Sequence, residues 1–124
     1  MRVLVVERDR LQRELIREWL EAGGVQVLSE EAASQAPAHI DAILVDVACQ
    51  QQAHAVLWSW RRVYPRAAIV LASGRFCAGD MANDAMAVRL GATHILAKPF
   101  TRSDLWAALG LWKAPAARAG QLPR

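Results

Sequence analysis

The chain has 124 residues, 54% hydrophobic and 22% charged, enough for one domain with its own core, and no apolar run approaches the ~20 residues of a membrane-spanning helix. Two cysteines, Cys49 and Cys77, exclude a disulfide scaffold or a zinc site, and Met1–Val6 is too short an apolar start for a secretory signal, so a cytoplasmic setting is expected. The net charge of +3 lies wholly in the tail, where Lys113, Arg118 and Arg124 meet no acid, so a nucleic-acid surface is not expected of the body.

Val3-Leu4-Val5-Val6 is a continuous apolar run and reads as a strand buried on both faces. Asp9 is a fair helix N-cap. Leu11, Leu15, Ile16, Trp19 and Leu20 then form one helical stripe, stopped by Gly23-Gly24. Val25–Leu28 is a second strand. Residues 30–39 are rich in alanine and contain Pro37, so a helix there is short or irregular. Ile40–Val45 leads to a third strand ending at Asp46. His54–Val63 reads as a helix with Leu57, Trp60 and either Val63 or Tyr64 on its inner side, ended by Tyr64-Pro65. Ala68–Leu71 is a fourth strand and 73–79 a loop. A helix is expected from Asp80 to Leu90, closed by Gly91. His94–Ala97 is a fifth strand. Thr101, with Asp104 three residues on, caps a last helix whose buried stripe is Leu105, Ala108, Leu109 and Trp112. Residues 113–124 read as a disordered basic tail.

Strands alternating with helices imply an α/β domain: five parallel strands, doubly wound, with helices on both faces. Such sheets bind ligands outside the carboxyl ends of their strands. Glu7-Arg8-Asp9, Asp46, Ala72-Ser73 and Lys98 fall there.

Those residues, with the run Gly91-Ala92 through Lys98-Pro99-Phe100, carry a resemblance. Residues 1–112 resemble the receiver domain of bacterial two-component response regulators, a CheY-like, flavodoxin-like fold. The resemblance implies transfer of a phosphoryl group from a histidine kinase to an aspartate, with magnesium bound. Asp46 matches the phosphoacceptor. Lys98 matches the lysine that pairs with it, and Lys98-Pro99 matches a bond that is usually cis. Glu7 and Asp46 are the matching metal ligands.

The departures are equally specific. The family carries two adjacent acids after its first strand; here they are Glu7 and Arg8. A guanidinium removes a hard oxygen ligand from magnesium and, at about 5 Å and an effective dielectric near 20, repels a divalent ion by several kcal/mol. Asp9 is a substitute ligand only if it does not cap the helix. The family's switch hydroxyl falls at Ala72. Ser73 is one position late, on the other face of a strand. The switch aromatic falls at Ile95. The loop after Asp46 lacks the family's Met-Pro, and the segment 72–91 is longer than the family pattern.

The expected function is therefore that of a receiver-like signalling domain with a degenerate pocket, not an enzyme, with magnesium bound weakly or not at all. Arg8 is expected to replace the metal by pairing with Asp46 or Glu7, with Lys98 closing the cluster. The partner is another signalling protein, a histidine kinase or an effector, with a homodimer as a further candidate. The family commonly docks partners through the fifth strand, the last helix and the region before them, which here offers Arg89, Ile95 and Trp106. Trp58 lies off its helix's stripe; exposed, it would favour a partner surface. Two alternatives stand: a slow but genuine phosphoacceptor at Asp46, and the regulatory half of a nucleic-acid-binding regulator. A flavodoxin-like enzyme needs a glycine-rich loop after the first strand, and Glu7-Arg8-Asp9-Arg10 has no glycine. His39, His54 and His94 do not cluster in sequence.

Overall fold

A computed structural model describes residues 1–35, 39–47, 50–73, 92 and 94–110. Five strands, β1 (Arg2–Val6), β2 (Gln26–Leu28), β3 (Ala42–Asp46), β4 (Ala68–Ser73) and β5 (His94–Ala97), form one parallel sheet in the order β2-β1-β3-β4-β5. This is the doubly wound flavodoxin-like order, whose direction of winding reverses between β1 and β3. The expected fold class is the observed one. The expected helix over 80–90, its Gly91 stop and the tail 113–124 lie outside the described residues.

Continuous apolar strands bury both faces of the sheet, so each residue's parity decides which layer it joins. Val3, Val5, Leu44, Val70 and Leu96 point to one layer, with Ile16 and Leu20 of helix α1 (Arg10–Ala22), Leu105 of helix α4 (Arg102–Ala108) and its C-cap Leu109. Leu4, Ile43, Val45, Ile69 and Leu71 point to the other, with Ala33 of helix α2 (Glu30–Gln35) and Ala53 and Leu57 of helix α3 (Gln50–Val63).

Local signals set the helix ends. Asp9 caps α1, its side chain accepting from Leu11 N and Gln12 N. Gly24 ends α1 at φ +81, where a side chain would be strained. There Val25 N donates to Leu20 O and Gly24 N to Glu21 O, each at 3.0 Å. That paired geometry satisfies two orphan carbonyls and brings Val25 onto Leu20. Thr101 and Asp104 form the expected capping box on α4, each hydrogen bond being 3.0 Å.

Three expectations are corrected and one alternative is decided. Leu11 and Leu15 leave the α1 stripe, Leu11 being 80% exposed, because the helix's inner line runs through Ile16 and Leu20. Tyr64, not Val63, faces inward from the end of α3 and stacks on Trp60. Helix α3 starts at Gln50 instead of His54, and β4 runs on to Ser73, which pairs with Ala97.

Candidate functional site

Parity builds the site. Asp46 ends β3 on the same side as Leu44, and Glu7 leaves β1 on the same side as Val5. Val6 lies opposite Val45, so Glu7 and Asp46, the next residues, emerge side by side at the point where the winding reverses. Asp46 lies opposite Ala72, and Ala72 opposite Leu96. Lys98, two residues beyond Leu96, therefore leaves the sheet on the same side. Its main-chain N donates to Ser73 O at 3.0 Å, and the Lys98-Pro99 bond is cis, as the sequence resemblance implied.

Lys98 Nζ reaches back over the sheet end and donates to Asp46 Oδ1 at 2.6 Å and to Glu7 Oε1 at 3.0 Å. The other Glu7 oxygen, Oε2, accepts from Asp9 N at 3.1 Å. The Glu7 side chain is only 4% exposed, against 21% for Asp46 and 21% for Lys98. A carboxylate so buried needs compensation, and here an ammonium and a backbone N–H supply it. Burial by itself pushes the Lys98 ammonium down. Its hydrogen bonds to Asp46 and Glu7, and then their charges, overrule that and leave it above the ordinary lysine value.

Glu7, Asp46 and Lys98 thus come together, and Asp9 joins through its backbone N–H. Its carboxylate Oδ1 accepts from Leu11 N at 2.9 Å and Gln12 N at 3.3 Å, so Asp9 serves the helix. The expected pairing of Arg8 with Asp46 or Glu7 is overturned. Arg8 is exposed on the bend after β1, and Lys98 bridges both carboxylates without it. Glu7 turns inward, so the next side chain turns out. Ser73 is buried within β4, one parity step from Ala72, and contributes its carbonyl to Lys98. Pro99 follows the cis bond and brings no polar side chain to the cluster.

One of the three candidate partner-surface residues is corrected, one is half-buried and the third lies outside the described residues. Ile95 is buried, 7% exposed, because its parity places it with Leu71 in the core. Trp106 is half-buried against α1: its Nε1 donates to Trp19 O at 3.1 Å, and Arg102 stacks over its ring at 5.0 Å. It fastens α4 to α1. Arg89 is outside the described residues. Among the described residues Trp58 is the exposed aromatic, at 64%.

Sequence reasoning missed Arg13. Its Nη1 donates to Glu7 O at 2.9 Å, so the turn that carries Glu7 is held from the helix side as well. The available signal was a basic residue one turn into the helix that follows that acid.

No protein-family model matches the sequence, and none of the curated proteins matches it. Solved structures do. A response regulator from Thermotoga maritima superposes with a TM-score of 0.71 at 22% identity, covering 90% of this chain and 97% of that one. The chemotaxis protein CheY4 of Vibrio cholerae gives 0.65 at 24% identity, covering 88% and 95%. An atypical orphan response regulator, described as having a phosphorylation-independent regulatory mechanism, gives 0.64 at 19% identity, covering 90% and 98%. The chain has the receiver fold.

Proposed function

We propose that this chain is a receiver-like signalling module that works through protein–protein contact, with Asp46 held as one arm of an ion-pair cluster and not used as a phosphoacceptor. The observation that carries the reading is Lys98 Nζ bridging Asp46 and the buried Glu7 at 2.6 and 3.0 Å. The donor set does not fit a resident magnesium ion. Both Glu7 oxygens are engaged, Asp46 Oδ1 is taken by Lys98, and the Asp9 carboxylate caps α1. Arg8, where the family carries a second acid, is exposed and brings no hard oxygen to the site. Among the described residues no three metal-ligating side chains come together. Ala72 brings no hydroxyl beside Asp46 to meet an added phosphoryl group. The phosphorylation-independent orphan regulator among the similar structures is a precedent for the fold working this way.

A second reading keeps Asp46 as a slow phosphoacceptor. It is favoured by the 21% exposure of Asp46 and by the ammonium already beside it, since a carboxylate attacks phosphorus only where a cation offsets the repulsion between anions.

An amide NMR titration with magnesium and then beryllofluoride separates the two. The expected result is no saturable shift at Glu7, Asp46 or Lys98 at millimolar magnesium. Saturation of the parent chain, with shifts centred on Asp46 and Lys98, overturns the proposal in favour of the second reading.

A further inference from the structure

A cleft of about 330 Å³ opens between the first half of α1 and the junction of β2 with α2. That volume is within the range of small-molecule sites, roughly 300–1,000 Å³. Val5, Val27, Leu28 and Ala32 form apolar walls, and Arg13 and Arg17 stand along one side. The charged residues of the cleft differ in how they are satisfied. Arg17 is exposed and pairs with Glu21 at 3.2 Å, and Glu14, also on the wall, pairs with Arg10 at 3.2 Å. Arg13 is half-buried, and its partner among the described residues is the Glu7 carbonyl, a neutral acceptor. Among the described residues no carboxylate pairs with it. A partly desolvated guanidinium without a counter-ion is costly, and its planar fork suits a carboxylate or phosphate.

We propose that this cleft binds a small anion with an apolar body, a carboxylate or a phosphate monoester. Its charged group pairs with Arg13 and Arg17, and its body lies against Val5, Val27, Leu28 and Ala32. Arg13 joins the cleft to the ion-pair cluster, because it holds the carbonyl of Glu7, whose carboxylate accepts from Lys98. An anion that draws the guanidinium away from that carbonyl loosens the turn carrying Glu7, so occupancy is felt at the cluster. The binding itself is independent of whether Asp46 accepts a phosphoryl group.

The test is an amide NMR titration of the full chain with hexanoate, hexyl phosphate, inorganic phosphate and 1-hexanol. Saturable shifts centred on Arg13, Val27, Leu28 and Ala32, with smaller ones at Glu7 and Lys98, are expected from hexanoate or hexyl phosphate. Whichever of the two binds more tightly identifies the anionic group. Arg13→Gln and Arg17→Gln are expected to weaken binding at least tenfold. Ala32→Phe, which fills the cleft and leaves both arginines, is expected to abolish it and carries the test if Arg13→Gln fails to fold. Equal binding of 1-hexanol overturns the anionic requirement, and equal binding of inorganic phosphate overturns the apolar one. Absence of saturation with every probe overturns the site.

Discussion

Replacing Lys98 by methionine keeps the length of the side chain and removes the charge. Glu7 would keep one backbone N–H, from Asp9, and would face Asp46 with no cation between them. Breaking a buried ion pair from one side costs about 3–5 kcal/mol. Asp46 is 21% exposed and recovers some hydration, so about 3 kcal/mol is expected. A domain holds roughly 5–15 kcal/mol in all, so the midpoint of thermal unfolding falls by on the order of 10 °C. The variant should also carry a pH signature. Two close carboxylates without the ammonium repel each other. That repulsion is full at neutral pH and is relieved in acid. Adding Glu7→Gln to Lys98→Met should return about 1–2 kcal/mol, a non-additive result. Urea unfolding followed by circular dichroism, at neutral pH and at about pH 5, measures all three effects. A loss under about 1 kcal/mol, or a loss unchanged by pH, would refute the view that Lys98 neutralises both carboxylates.

Three further outcomes are expected. The parent's Lys98 contribution is full below the ordinary lysine pKa of about 10.4 and is lost only as pH rises through the raised native value, so it is flat across neutral pH; a sloping neutral difference between parent and Lys98→Met that is already present above about pH 7 would contradict this. The backbone N–H of Arg2 holds the Asp41 carboxyl below the usual carboxylate range, helped by His39 and opposed by burial, so its contribution is full above about pH 4 and is lost as pH falls through the lowered native value, which an acid titration of Asp41→Asn beside the parent checks. Leu57→Ala should cost about 2–5 kcal/mol by opening a cavity, whereas Trp58→Ala, one residue on and exposed, should stay within about 0.5 kcal/mol by chemical denaturation.

The alternation of apolar runs and helical stripes is a local property, so the five strands, the caps at Asp9 and Thr101 and the stop at Gly23-Gly24 were all legible in the sequence. So was the placing of Glu7, Asp46 and Lys98 at the carboxyl ends of their strands, which follows from where each run stops. The resemblance in the Lys98-Pro99-Phe100 region tied these residues to one fold. The start of α3 was not legible, because Gln50-Gln51-Gln52 has no apolar spacing to mark it. The exposure of Leu11 was not legible either, since a stripe read on one helix does not say how far the neighbouring layer extends.

Only the tertiary structure decided which charges meet. The resemblance implied that Lys98 pairs with Asp46, but Arg8 was expected in the same cluster, since sequence spacing carries no information on direction. Parity sends Glu7 inward and Arg8 outward, and the parallel register brings Lys98 across from a strand 91 positions away. The same geometry buried Ile95 and turned Trp106 into a fastening between α4 and α1. Local pattern sets which element a residue joins, but a side chain's partners depend on register and on the packing of layers, and those exist only once the whole sheet has closed around its two cores.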